Sequence, residues 1–334
     1  MTRSALAALL LIAMPAFAEE TPATPVPAPE LQLLSEHPVE GMRGGNLSGL
    51  TLCGEDLWAV SDRDDDLLYR MDRSAVVWQS EARHIQVPDV PDSGLPLGLK
   101  SRSLAASLVR GGELDFEGIT CDAKGNLYVV SEAHAAVLQV PPEDPPQWLR
   151  LPAALVRQAR ASGMLLHFNA LFEGLAINAA GDRLWLAAER ERRGILAVQK
   201  PQTLWDCNAK CVLLSEAGYE TVPPAMVSNR RVSRDFSDIA FYKGKLFTLE
   251  RNAFKVCRRD ADTAQVERCW SFAEGALTPE RRYNEPFGLA EALVIDDQGA
   301  WIGLDNNNWA RADGEKRPIV WRFAAPDGGW SAQP

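Results

Sequence analysis

The chain has 334 residues, long enough for one large domain, and carries 35 basic against 45 acidic residues, a net charge of −10. A balance this acidic argues against nucleic acid or an anionic membrane as partner and favours the holding of cations. Six cysteines, an even number, fit a disulfide framework in an oxidising compartment.

In chain order, residues 1–18 read as a secretory signal peptide: a single charge at Arg3, an apolar run from Ala5 to Met14, and a small-residue end at Ala16-Phe17-Ala18. Cleavage near Ala18 leaves 34 basic against 45 acidic residues, a mature charge of −11, and predicts a periplasmic or secreted protein. Residues 19–30, EETPATPVPAPE, form a proline-rich linker. Residues 31–325 read as a single domain and 326–334 as a C-terminal tail. No later stretch is apolar enough to insert in a membrane.

From Leu31 the sequence is a succession of short runs rich in Val, Leu, Ile, Trp and Tyr, broken by Gly, Asp and Asn turns, which is a strand pattern. Leu31–Ser35 comes first. One motif then recurs: NLSGLTL at 46–52, DFEGITC at 115–121, LFEGLAI at 171–177, DFSDIAF at 235–241 and GLAEALV at 288–294. After a tight turn each copy is answered by a strand ending in an acid, at Asp62, Glu132, Glu189, Glu250 and Asp305. Four units parse into four strands, starting at Gly49, Glu117, Glu173 and Asp238, and the fifth has only three, from Ala292 to Phe323. The orphan strand Leu31–Ser35 can complete it, which is how a propeller closes its ring and hides its edges. The fold expected is therefore all-β: a five-bladed β-propeller of four-stranded antiparallel blades, with an N-terminal strand closing the last. A β-sandwich also explains alternating strands, but gives no reason for five copies of one motif. Within one of the long loops Ala153–Ala161 is rich in helix formers and is expected as a short helix.

Proximity pairs the cysteines as Cys207–Cys211 across a short loop, Cys257–Cys269 on adjacent strands, and Cys53–Cys121 by remainder. Buried free thiols at Cys53 and Cys121 are the alternative.

Residues of an antiparallel hairpin are opposed when their numbers sum to twice the turn centre. That arithmetic opposes Glu117 to Glu132, Glu173 to Glu189, Asp238 to Glu250 and Glu291 to Asp305. Opposed like charges repel and call for a counter-charge. Calcium, which takes six to eight oxygen ligands, answers this best, so these eight carboxylates are the expected metal ligands. His134 is the only histidine close to the ring, which disfavours zinc or copper. A plainer reading has the acids capping turns or pairing with Arg63, Arg190 and Arg251, each of which follows a ring acid. Aligned on apolar residues, Glu117 and Glu173 stand one position earlier than Asp238 and Glu291, an offset that reverses facing unless a bulge intervenes. No G-x-S-x-G elbow, H-E-x-x-H helix or phosphate loop is present, which removes the serine-hydrolase, zincin and nucleotide-enzyme readings.

At FEGIT, FEGLA, RDFSDIAF with LFTLERN, and FGLAEALVIDDQGAWIGLDNNN the chain resembles the phytase-like family, described as having esterase-like activity of phytase, and also propellers of the SdiA-regulated type. The resemblance spans Leu47 to Phe323. It implies a propeller and metal-assisted hydrolysis of phosphoesters or esters. On that reading Glu173 and His134 are the candidate general bases, and Arg190, Arg251, Arg230 and Arg231 hold a small anionic substrate beside a calcium ion. The competing function is a non-enzymatic periplasmic propeller in which the ion is structural and the loops bind a ligand or protein. A monomer is expected in either case.

Overall fold

A computed structural model describes residues 28–332 apart from 44, 209, 224 and 227–230. The signal peptide, residues 19–27 of the linker, and Arg230 therefore lie outside the described residues.

The elements run as follows. β1 (Leu33–Glu40) precedes a first meander of β2 (Gly49–Cys53), β3 (Asp56–Val60), β4 (Leu67–Asp72) and β5 (Trp78–His84). α1 (Leu97–Arg110) leads to β6 (Phe116–Cys121), β7 (Leu127–Ser131), β8 (Ala136–Val140) and the short β9 (Gln147–Trp148). After α2 (Ala154–Ala161) come β10 (Phe172–Ile177), β11 (Arg183–Ala188), β12 (Arg192–Gln199) and β13 (Val212–Ala217). A small hairpin, β14 (Tyr219–Thr221) and β15 (Arg231–Ser233), precedes β16 (Asp238–Tyr242), β17 (Lys245–Glu250), β18 (Lys255–Asp260) and β19 (Val266–Ser271). α3 (Ala273–Ala276) leads to β20 (Ala290–Asp296), β21 (Gly299–Leu304) and β22 (Ile319–Ala324).

The molecule is thus all-β, built of four-stranded antiparallel sheets in up-and-down order. β1 supplies the outer strand beside β22, antiparallel, and touches β5 in parallel at Val39–Trp78 and Glu40–Gln79, which joins the first and last meanders edge to edge. The closing strand is longer than expected and shifted along the chain. Leu31 instead donates its N–H to Ser271 O at 2.7 Å, pinning the end of the linker to β19.

Inner strands such as β7, β10 and β11 are buried on both faces, which is why they read as nearly continuous apolar runs, while outer strands such as β5 and β13 are partly exposed. In β3, Leu57 and Ala59 pack with Val294 and Val320 of the last meander, while Val60, with partly buried Trp58, packs with Phe116 and Ile119 of the second. Three further clusters fill the remaining junctions between successive meanders. Trp185 is 1% exposed and stacks on Phe241 at 4.8 Å, so it is packing. The first strands touch in a closed cycle, β2 to β6, β10, β16, β20 and back to β2. Their approach is closest at glycines: a Cβ on Gly49 would lie 2.9 Å from Gly118 Cα, and one on Gly118 2.9 Å from Glu173 O.

Three disulfides form, Cys53–Cys121, Cys207–Cys211 and Cys257–Cys269, the set that proximity selects. The first ties the first two meanders together.

Candidate functional site

β-Bulges place the motif acids. Pairing runs Phe116↔Ser131 then Gly118↔Val130, Phe172↔Ala188 then Gly174↔Ala187, and Ala290↔Leu304 then Ala292↔Gly303. Glu117, Glu173 and Glu291 are therefore each the extra, unopposed residue of a bulge. The face-to-face pairing expected from turn arithmetic is corrected accordingly: the acids meet at a shared end of the sheets, not across a ladder. The bulges also correct the offset. Glu291 is the equivalent of Glu117 and Glu173, whereas Asp238, opposed to Leu249, is the equivalent of Gly49, Gly118, Gly174 and Ala292.

A cavity of 490 Å³ opens at this end. Its wall carries the carboxylates of Asp62, Glu117, Glu132, Glu173, Glu189, Glu291 and Asp305, and the guanidiniums of Arg63, Arg190 and Arg251. Seven acids against three bases leave an excess of ionisable carboxyls over guanidiniums. Two groups are tight enough to share an ion: Asp62, Asp115 and Glu117, and Glu132, Glu173 and Glu189, with one carboxylate oxygen of each residue within 4.8 Å of the others in its group. Glu132 accepts the Leu171 N–H at 2.9 Å. Arg251 donates from Nε to Asp235 at 2.7 Å and from its two other nitrogens to Glu291 and Glu189, so its whole fork is committed to carboxylates. Arg190 bonds Glu189 and the Asn169 carbonyl, and Arg63 lies 3.1 Å from Asp62. Glu189 Oε2 and Glu291 Oε2 are buried with no hydrogen-bond partner among the described residues.

Burial, reinforced by the neighbouring acids, pushes the carboxyls of Glu117, Glu132 and Glu173 well above the ordinary range. Burial raises Glu291 to about 8 despite Arg251, Asp305 to about 7 with the help of Asp62, and Asp235 to about 6 against Arg251. Positive charge added to the cavity would oppose these shifts in the carboxyls that line it.

Two expected ligands stand apart from this cavity. Asp238 accepts the N–H groups of Ile239 and, across the next meander, Leu293, both at 2.7 Å. Glu250 is held by Arg193 and Arg259 at 2.9 Å each; burial works to raise its pKa, but the two guanidiniums outweigh that and hold it below the usual range. His134 does not line the cavity. It is half-buried near Lys100, Glu113 and Asp65, and burial, with Lys100, lowers its pKa. Arg231 lies over the Tyr219 ring at 5.3 Å. Sequence reasoning missed Asp115 and Asp235 as site residues, which open two motif copies in the shared dipeptide Asp-Phe and are 2% and 1% exposed, and Arg63 as a cavity residue. Two copies of Asp-Phe at equivalent positions were the available signal.

The family described as phytase-like, esterase-like activity of phytase, matches residues 43–268, more than half of the chain. The chain belongs to the phytase-like family. Among curated proteins none matches. Solved structures similar to this phytase-like chain include a gluconolactonase of Xanthomonas campestris, at 13% identity over 83% of this chain and 72% of that one, TM-score 0.40. They also include the PQQ-bound aldose sugar dehydrogenase of Streptomyces coelicolor, at 12% identity over 89% and 99%, TM-score 0.44. A third is the glutaminyl cyclase of Myxococcus xanthus, at 11% identity over 88% and 98%, TM-score 0.47.

Proposed function

We propose that this chain is an exported five-bladed β-propeller that hydrolyses phosphoesters or esters with a calcium ion held in its acidic cavity. The observation that carries the reading is the excess of buried carboxylates over guanidiniums, together with the unpartnered buried oxygens Glu189 Oε2 and Glu291 Oε2. Buried charge without a counter-ion is costly, and an all-oxygen donor set without histidine or cysteine suits a hard cation. The closed cycle of first strands supports five blades. Three disulfides support export.

Glu132, Glu173 and Glu189 would hold the ion, with Asp62, Asp115 and Glu117 as a second set of ligands. When bound, calcium supplies Lewis acidity and acidifies a coordinated water. Glu173, on the cavity wall where His134 is not, would offer the ion one carboxylate oxygen, and its other oxygen is assigned to accept the proton of the attacking water. Arg190 and Arg63, whose side chains keep 31% and 22% of their exposure, hold the anionic group of the substrate. Arg251, whose nitrogens are all engaged, orients Glu189 and Glu291.

The test is a panel of phosphate and carboxylate esters, assayed with calcium and with chelator. Turnover should require calcium, and Glu173→Gln should lower kcat by about 10²-fold or more. No turnover by the calcium-loaded protein on any ester, or turnover indifferent to chelator, would overturn the reading in favour of a non-catalytic binding propeller.

A further inference from the structure

At the rim of the acidic cavity stand two large aromatic side chains that the core does not absorb. Phe287 lines the cavity and is 37% exposed; Trp309 is 38% exposed and tilts against it, ring centroids 6.1 Å apart at 57°. Their position is built. Fully buried Asn306 takes the Trp309 N–H on its backbone carbonyl at 2.7 Å and returns its own side-chain N–H to the Trp309 carbonyl at 3.2 Å. Asn307 and Asn308 between them have φ of 48° and 60°, a left-handed run that asparagine tolerates and most residues do not. Asn307 itself lines the cavity, where Arg63 reaches its Oδ1. This loop therefore holds an indole at the lip of a charged pocket through a tight left-handed turn that its two asparagines make accessible. Phe287 also lines a neighbouring cleft with Phe254, Leu277 and Leu289, which Arg281 and Arg282 border, so it belongs to both the acidic cavity and a largely apolar one.

We propose that Phe287 and Trp309 form a subsite for a flat, apolar ring in the substrate, which makes the preferred substrate an aryl ester of an anionic acid and not a simple alkyl one. The subsite rests on the hydrolase reading. Ligand pockets combine a few placed polar groups with aromatic wall, and here the charged groups face the cavity while the rim offers ring faces and edges. An aryl group docked against the pair, in offset or edge-to-face contact, leaves its anionic head pointing at Arg63 and the acid-bound cation.

The test is calorimetric binding of phenyl phosphate and methyl phosphate to calcium-loaded, full-length protein, which needs no turnover. Phenyl phosphate should bind roughly three- to tenfold more tightly, the worth of one aromatic contact. In Trp309→Ala and in Phe287→Ala the ratio of the two Kd values should fall towards one, and Trp309→Leu, which keeps apolar bulk but no ring face, should behave like the alanine variant. Equal affinities in the native protein, or a preference that survives all three substitutions, overturns the ring subsite alone. If neither phosphate binds, the subsite falls with the phosphoester half of the hydrolase reading, while the panel of carboxylate esters still tests the other half.

Discussion

Asp238 shows how one side chain can carry a motif's chemistry in sequence and a different role in space. It occupies the position that is Gly or Ala in the other four meanders, and its carboxylate bridges β16 to β20 through the Leu293 N–H. Asp238→Ala leaves that buried donor unpaired and should cost about 1–3 kcal/mol, read as a fall in denaturation midpoint with or without calcium. A midpoint unchanged in chelator but lowered in calcium would place the residue among the metal ligands instead. The cavity acids make the opposite statement. Folding raises Glu291 to about 8 and Asp305 to about 7 from unfolded values near 4, so in metal-free protein the folded state binds the extra protons. Their contribution is fully present below the unfolded pKa and is lost as pH rises through the folded one. In chelator, thermal stability should therefore decline between about pH 5 and pH 8, and calcium should flatten that decline. A chelated protein whose stability rises over that window would contradict the charge assignment. The acids were legible in the sequence as a repeated end of strand. Their mutual placement was not, because counting by twos cannot register the extra residue that a bulge inserts.

Among the elements, the inner strand pairs were legible because each is joined by a tight turn and is apolar nearly throughout. α2 was legible from its helix-forming composition and starts one residue later than that composition indicated. α1 was not legible, since its buried positions include Ser103 and Ser107 while Leu97, Leu104 and Leu108 face outward, which reverses the periodicity by which a helix is recognised. The β14–β15 hairpin is only three residues to a strand and has no apolar alternation to betray it. What the motif glycines do became clear only in space: they let the first strands touch. A Cβ on Gly174 would lie 2.6 Å from Asp238 Oδ1 and 2.7 Å from Asp238 Cα. Gly174→Ala should cost about 1–3 kcal/mol or more through overpacking, measured by chemical denaturation, whereas Gly244→Ala meets no atom within 4 Å and tests instead the strain of a φ of 79° in a turn. Equal, small effects at both sites would mean that close approach of the first strands does not matter.

At the scale of the whole molecule, the closed cycle of strands gathers carboxylates from four meanders into one cavity, where no single meander holds enough of them to bind a cation. β1 completes the last sheet and the Cys53–Cys121 bridge ties the first two, so the ring that gathers the acids is fastened at both places. The cation is the central claim, and the cleanest probe of it avoids the arginine-paired acids. Glu132→Gln with Glu173→Gln removes two raised carboxyls that form no ion pair among the described residues, and the amide oxygen that Glu132→Gln retains can still accept the Leu171 N–H. Calorimetric titration of chelator-treated protein with calcium is the measurement. Native protein should bind with a heat that saturates, and at a hundred times Kd calcium should add about 2.7 kcal/mol of stability. The double variant should show no saturable heat while being at least as stable as native protein in chelator. A variant that binds calcium as tightly as the native chain, or a native chain that binds none, would contradict the placement of the ion in this cavity.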